Sequence, residues 1–157
     1  MSFLEWLQGL SFSVWVSESD TVWGYPAILT LHTIGFGMLV GANVVVDLRL
    51  LGVARGVRIE ALRALYRPMW LGLVINALTG LTLFMAAATE KGVQTVFYVK
   101  LGFIAAALVV LLRIRRMVAA DEAVIDLLPA SARPLAILSL ILWTGAITAG
   151  RLMAYLH

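Results

Sequence analysis

His32 is the one histidine inside an apolar stretch of this chain, seven residues after Tyr25. An imidazole at membrane depth is costly, so it is first a functional candidate, able to ligate a metal or carry a proton. Asn43 and Asp47 follow eleven and fifteen residues later, about 20° and 60° around a helix from His32. These polar side chains therefore share one helix face, which must point towards a partner helix, a cofactor or water.

Two cations are expected at the depth of His32, which lies ~9 Å below the outer end of its helix. Lys100 is five residues into a later apolar run, and Arg151 comes shortly before the end of the last one. One imidazole and two cations in a layer could hold an anionic cofactor, the cations pairing with its carboxylates. Each cation alone could instead be an interfacial anchor, and His32 could be an interhelical hydrogen-bonding group.

Two other polar residues have structural interpretations. Asp47 could pair with Arg67 or Arg113 and so fix the bundle. Asn76, near the middle of the second run, is expected to bond across a helix interface. We also count Asn76 with His32 among the candidate cofactor-binding residues.

Small residues predict where the helices pack. The pattern Gly72-x3-Asn76-x3-Gly80 would let the second helix approach a neighbour closely. Gly37-x3-Gly41 lies on the flank of the first helix roughly opposite His32 and predicts a further packing surface. Gly145-x3-Ala149 gives the last helix a similar surface.

The composition indicates an integral membrane protein in contact with a lipid bilayer. Of the 157 residues, 62% are hydrophobic and 13% charged, with a mean hydropathy of +0.96, whereas soluble domains carry about 25% charged residues. The net charge of +3 comes from basic residues at the ends of apolar runs, so topology explains it and nucleic-acid binding is not expected. The absence of cysteine excludes thiolate metal sites and Cys-ligated iron–sulfur clusters.

Four apolar runs have the ~20 residues that a bilayer-spanning helix needs. They predict an all-α fold, an up-and-down bundle of four transmembrane helices over residues 21–157. Pro26, Pro68 and Pro134 are each expected in the first turn of a helix. Residues 3–17 are amphipathic but too short to span, so they predict an interfacial helix that forms, with a polar hinge, a separate segment over residues 1–20. The predicted spans are Tyr25 to Val53, Pro68 to Ala88, Thr95 to Leu112 and Pro134 to Leu156.

The arginines predict the orientation in the membrane. Nine of the twelve Lys and Arg residues fall on one side of it, around the first and third links. The positive-inside rule makes that side cytoplasmic, with both termini outside. Tyr66 and Trp70 would then form the inner aromatic belt. The nine basic residues are Arg49, Arg55, Arg58, Arg63, Arg67, Arg113, Arg115, Arg116 and Arg133.

Several segments together resemble a family of uncharacterised small bacterial membrane proteins, over most of the chain. They are Leu31-His32, the stretch Asp47-Leu48-Arg49-Leu50-Leu51-Gly52 and the amphipathic N-terminus. More distantly, the layout is similar to the HemJ-type protoporphyrinogen oxidases and to the membrane domain of copper-resistance protein D. The HemJ-like segments are Leu65-Tyr66-Arg67-Pro68-Met69, Thr79-Gly80 and Val99-Lys100-Leu101.

The HemJ resemblance implies a bacterial inner-membrane protein that binds b-type haem. His32 and Lys100 match that family's characteristic helix-1 histidine and helix-3 lysine. HemJ-type proteins have further histidines after helix 3, where this chain has arginines at 113, 115 and 116. The resemblance therefore favours haem binding over protoporphyrinogen oxidase activity. A bis-histidine site would need His157 or a second protomer.

The leading functional hypothesis is a haem b-binding membrane protein that exchanges electrons with a membrane-protein partner or quinone. His32 would be the axial metal ligand, and Lys100 and Arg151 would pair with the propionates. The alternative is a non-catalytic accessory or assembly subunit, packed through its small-residue faces in a larger complex or a homo-oligomer. Metal transport is less favoured because no ladder of Met or His crosses the bilayer.

Overall fold

The computed structural model describes residues 2–54, 56–120, 132–153 and 155. Within those ranges the chain forms seven helices and no strand. Four of these helices are long and apolar enough to cross a membrane, which confirms the all-helical class and the expected candidate spans. The helices are α1 (Phe3–Gln8), α2 (Ser11–Glu18), α3 (Tyr25–Leu50), α4 (Ile59–Ala86), α5 (Ala88–Lys91), α6 (Thr95–Ala120) and α7 (Ala132–Leu152).

Two long helices extend further than expected towards the arginine-rich end of the bundle, where α3 stops and α4 begins. Pro26 and Pro134 are in first turns as predicted, but α4 begins at Ile59, so Pro68 is its tenth residue. Likewise, α6 continues to Ala120, eight residues past the predicted end. An apolar run marks only the stretch suited to lipid, whereas Arg, Ala and Leu continue a helix beyond it. Three arginines expected in the third link are therefore helical: Arg113, Arg115 and Arg116.

α3 and α4 approach each other through two glycines. A Cβ at Gly35 would lie 2.9 Å from the Gly72 carbonyl oxygen, and one at Gly72 would lie 2.6 Å from the Gly35 carbonyl oxygen. A side chain at either position would push the two backbones apart. Gly37 and Gly41, which predict a further packing surface, make no close contact inside the bundle, since nothing in the described parts of the chain lies within 4 Å of a Cβ at either position. Spacing identifies small residues, but two small-residue faces on one helix look alike until a neighbour selects one.

The helix pair α6 and α7 packs on the pair α3 and α4 through α7. A Cβ at Gly145 would lie 2.8 Å from the Phe103 ring, which confirms the predicted packing surface of α7. Phe36 of α3 meets Trp143 of α7 edge-on, with ring centroids 6.0 Å apart. Neighbouring helices run antiparallel in the order α3, α4, α6, α7 around the bundle, although α4 and α6 touch at few places.

The buried core lies in the half of the bundle nearer the arginine-rich end. Its hydrophobic residues occupy 39–50 of α3 and 107–118 of α6. Tyr66 belongs to this core and is 8% exposed, so its expected place in an aromatic belt is wrong. Hydropathy cannot separate an interfacial tyrosine from one whose apolar ring is buried. The other half of the bundle is packed less tightly. The side chains of His32 and Lys100 in that half are only half-buried.

The N-terminal segment packs on the end of the bundle opposite the arginines. The single helix expected over residues 3–17 is broken in two, since Gly9 is the C-cap of α1 and Leu10, with an extended backbone, is the N-cap of α2. Gln8 Oε1 accepts hydrogen bonds from the backbone N and hydroxyl of Thr89 at 2.9 and 2.7 Å, and Val16 is fully buried. The segment thus covers the link between α4 and α6. Two stacked aromatic pairs stay exposed on it: Phe3 with Trp6, and Phe12 with Trp15.

Candidate functional site

His32 projects from α3 towards α4, where its Nδ1 lies 3.0 Å from the Thr79 hydroxyl oxygen. The Thr79 hydroxyl donates its own hydrogen to the Ile75 carbonyl at 2.6 Å, so its oxygen accepts from the ring. In the neutral ring, Nδ1 therefore carries the hydrogen and Nε2 keeps an unprotonated lone pair. This tautomer is typical of a metal-ligating histidine, whose other nitrogen is oriented by a hydrogen bond to an oxygen.

Asn76 ties His32 to α4 from the turn before Thr79. Its Nδ2 donates to the His32 backbone carbonyl at 2.9 Å, which confirms the predicted hydrogen bond across the interface. The same Nδ2 is 3.3 Å from Nδ1 and 3.4 Å from Nε2 of the ring. An atom almost equidistant from both ring nitrogens lies near Cε1 or over the ring plane. It does not lie along the Nε2 lone pair, which stays available to a ligand.

Three glycines make room for this arrangement. Gly35 and Gly72 bring the helices together about one turn from His32 and Asn76. A Cβ at Gly80 would lie 3.1 Å from His32 Cε1, so a larger residue there would press on the imidazole. Successive turns of α4 thus supply a backbone contact at Gly72, a hydrogen bond from Asn76 and, at Gly80, space for the His32 ring.

Lys100 reaches the same level from α6. Its side chain passes Gly150 of α7, where an added Cβ would lie 3.7 Å from Nζ. Lys100 is half-buried, and Arg151 beside Gly150 is exposed. Within the described ranges, no carboxylate lies within ion-pair distance of either cation. An anionic group is the expected contact for such a pair.

We call His32, Asn76, Thr79 and Lys100 the imidazole layer. This layer lies at the depth where α4 and α6 are separated. The contacts between α4 and α6 lie on either side of it, nearer the two ends of the bundle. Towards the arginine-rich end, the Arg115 guanidinium is 5.7 Å from the centroid of the Trp70 ring. Towards the other end, Phe84 and Phe97 stack at 5.0 Å. The two helices contact each other little elsewhere.

Asn43 and Asp47 form a separate group. Asn43 Nδ2 donates to Asp47 Oδ2 at 2.7 Å and to Ser139 Oγ of α7 at 2.9 Å. Eleven residues separate Asn43 from His32, about 16 Å along the helix axis. The same face of α3 contacts α4 at the depth of His32 and α7 at the depth of Asn43, because packed helices cross at an angle. The single polar site expected on α3 is therefore two separate sites.

The arginine partner expected for Asp47 is also corrected. Among the residues that the structure describes, neither Arg67 nor Arg113 forms an ion pair with its carboxylate. Both arginines are exposed, whereas Asp47 is fully buried beside α7. An exposed arginine gains little from burying its charge. The Asp47 carboxylate therefore accepts a hydrogen bond from Asn43 instead of pairing with an arginine.

The structure thus brings three of the four predicted site residues together, His32, Asn76 and Lys100, and leaves Arg151 exposed at the edge. Thr79 was indicated by the sequence only as part of a family-like segment, and its bond to the ring could not be read from spacing. His157 lies outside the described residues. In the described parts of the chain, no group of three or more His, Cys, Asp or Glu could hold a metal ion.

Comparison with known proteins finds no matching family model, no similar curated protein and no similar solved structure. The resemblances suggested by the sequence therefore stay predictions.

Proposed function

We propose that this chain is a membrane-embedded haem b-binding protein that exchanges electrons with a membrane partner or quinone, with His32 as the axial ligand. The observation that carries the proposal is the pair of short contacts at the Thr79 hydroxyl, 3.0 Å from His32 Nδ1 and 2.6 Å from the Ile75 carbonyl oxygen, from which we assign the tautomer of His32. Thr79 accepts the Nδ1 hydrogen, which leaves Nε2 with the lone pair that iron requires. Haem would supply the one-electron chemistry, while the protein would set its ligation, burial and hydrogen bonding.

The small number of ligands favours haem over a free metal ion. A protein-bound zinc or copper ion takes three or four protein ligands, whereas the porphyrin already supplies four nitrogens to haem iron and leaves one or two axial positions. Within the described ranges, His32 belongs to no cluster of His, Cys, Asp or Glu. A single oriented imidazole suits the axial position of haem. A sixth ligand would come from His157 or a second protomer, or the iron would be five-coordinate.

The two cations suit the anionic edge of haem. Lys100 is half-buried near the imidazole, and Arg151 lies exposed next to Gly150. Hydrogen bonds from Lys or Arg to carboxylates are stronger than those between neutral groups. In this proposal Lys100 and Arg151 hold the two propionates, Asn76 and Thr79 hold the imidazole, and the lightly packed outer half of the bundle admits the ring.

The membrane setting and the orientation are part of the proposal. Four apolar helices suit a bilayer, and the arginines gathered at one end suit the cytoplasmic face of a bacterial inner membrane. Both termini and the imidazole layer would then lie towards the outer face. Haem there could exchange electrons with a quinone dissolved in the bilayer.

Absorption spectroscopy of detergent-purified protein tests this function. Protein produced with ample haem should show a Soret band and reduced b-type bands, and His32→Ala should lose them. Thr33→Ala is the matched control: Thr33 is the next residue, is exposed and bonds only the Leu29 carbonyl of its own helix. Colourless wild-type protein, or a His32→Ala variant with an unchanged spectrum, would contradict the proposal.

A second candidate function is an accessory subunit of a larger membrane complex. Gly37 and Gly41 favour it, because they leave a smooth strip on the outer surface of α3 with nothing within 4 Å of an added Cβ. Small-residue strips of this kind let a partner helix approach closely. Gly37→Leu should then release the partner without unfolding the bundle. Assembly that depends on Gly37 but not on His32 would favour this candidate over haem binding.

A further inference from the structure

A second buried polar cluster lies near the arginine-rich end, one turn from the end of α3. Asp47 has no exposed surface, and Asn43 and Ser139 beside it are also buried. Asn43 Nδ2 donates to Asp47 Oδ2 at 2.7 Å and to Ser139 Oγ at 2.9 Å. Among the described residues no basic side chain pairs with Asp47. A carboxyl in this setting needs another way to balance its charge.

Three polar atoms in the same core have no hydrogen-bond partner in the described parts of the chain: Asp47 Oδ1, Tyr66 Oη and Trp143 Nε1. Tyr66 is 8% exposed and Trp143 is 1% exposed. Tyr66 of α4 belongs to the buried cluster that includes Val46 and Leu50, close to Asp47 in sequence on α3. Buried polar groups normally have partners, so the unpartnered Oδ1 of the fully buried Asp47 marks a place where a proton can bind.

We propose that the Asp47 carboxyl is a proton-binding site, which exchanges its proton with water at the arginine-rich end by way of Tyr66. The proton adds to Oδ1, the unpartnered oxygen, and converts the carboxylate to the neutral acid. On release the proton passes to water, and the carboxylate keeps its hydrogen bond from Asn43. The proposal does not depend on haem binding at His32.

A proton fits this cluster better than a metal cation. Asn43 turns its NH₂ group into the cluster and spends both hydrogens there, on Asp47 and Ser139. A calcium ion takes six to eight oxygen ligands, and the N–H groups that Asn43 turns into the cluster cannot ligate a cation. A proton needs only the free carboxylate oxygen.

The surroundings of Asp47 supply a short route to water. Asp47 is three residues before the last residue of α3, about 4.5 Å along the axis. Tyr66 is the titratable group that faces it from α4, and Arg115 of α6 lies 5.8 Å from the centroid of the Tyr66 ring. From α7, the uncharged Ser139 belongs to the same hydrogen-bonded group. The exposed Arg115 thus marks where the buried hydroxyl approaches the surface.

Infrared difference spectroscopy between about pH 6 and pH 9 tests this site in the purified protein, because exposed carboxyl groups stay ionised throughout that range. A carbonyl-stretch band of a protonated carboxyl group should appear on the acidic side and shift in D₂O. Asp47→Asn keeps the size and hydrogen bonding of the side chain and should lose the band. Asp20→Asn, at an exposed carboxyl, should keep it. A band that survives in Asp47→Asn, or wild-type protein with no such band, overturns the proposal.

Two milder variants keep the test decisive if Asp47→Asn does not fold. Ser139→Ala removes a neighbouring hydroxyl and should shift the frequency of the band. Tyr66→Phe keeps the ring under Arg115 and removes only the unpartnered Oη, so the carboxyl should exchange with D₂O at least tenfold more slowly. A band unmoved by Ser139→Ala would assign it to another carboxyl. An exchange rate unchanged in Tyr66→Phe would overturn the route through Tyr66.

Discussion

His32 of α3 and Thr79 of α4 are joined by a 3.0 Å hydrogen bond in which the imidazole Nδ1 donates and the hydroxyl oxygen accepts. The direction of this bond follows from the bond that the Thr79 hydroxyl makes to the Ile75 carbonyl. This bond fixes the orientation of the ring and leaves Nε2 available, as axial ligation of haem requires.

Thr79→Val should weaken haem binding. The substitution keeps the shape of the side chain but removes the oxygen that orients the ring, and loss of such a partner of a metal ligand costs about 10–100-fold in affinity. Haem titration of the apoprotein, followed by absorbance, measures the effect. Thr82→Val is the matched control, because Thr82 is on the same helix and its hydroxyl bonds only the Leu78 carbonyl. Equal affinities for the two variants would contradict the role of Thr79.

Lys100→Met should also lower haem affinity, by about tenfold or more, since a hydrogen bond to a charged group contributes about 1.5–3 kcal/mol. Methionine keeps an apolar stem against Gly150 and removes only the charge. Lys91→Met, which breaks a surface pair with Glu90, should leave the affinity unchanged. If Lys100→Met binds haem as tightly as wild type, Lys100 is an anchor rather than a ligand contact.

Gly72→Ala should destabilise the bundle by about 1–3 kcal/mol, the usual cost of overpacking. The added methyl group would lie 2.6 Å from the Gly35 carbonyl oxygen, and backbone cannot move aside as a side chain can. Gly41→Ala adds the same group where nothing lies within 4 Å and should leave stability unchanged. Thermal unfolding in detergent compares the two. Equal melting temperatures would rule out the Gly35–Gly72 contact.

The orientation can be tested with single cysteines because the chain has none of its own. Val53 and Val93 are 71% and 75% exposed, in the links at opposite ends of the bundle. A membrane-impermeant maleimide should label Val93→Cys in cells whose outer membrane is permeable to it. It should label Val53→Cys only after the inner membrane is opened. The reverse pattern would place the arginine-rich end outside.

The sequence predicts the parts of this molecule that depend on one helix at a time. Hydropathy locates the four long helices, and the glycines around Asn76 correctly predict a polar contact across an interface. The helix ends are missed where arginines continue the helix past its apolar run, as at Pro68. The reason is that hydropathy reports preference for lipid and not the backbone hydrogen bonding that defines a helix.

The contacts that depend on how two helices are aligned with each other could not be predicted from the sequence. Gly35 and Gly37 are equally small, and only the position of Gly72 decides which of them is at the contact. Ser139 bonds Asn43 across 96 residues of sequence, and no local pattern gives that pairing. His32 and Asp47 share a helix face in the sequence, yet they meet different helices because the crossing of α3 with its neighbours changes the partner with depth.

Rescue of His32→Gly by imidazole tests the central claim most directly. Glycine removes the imidazole and leaves a space next to Gly80, where free imidazole can take its place. We predict that the purified variant lacks the b-type haem spectrum and regains it when haem and imidazole are both added, but not with haem alone. A variant that binds haem with an unchanged spectrum in the absence of imidazole would contradict axial ligation by His32.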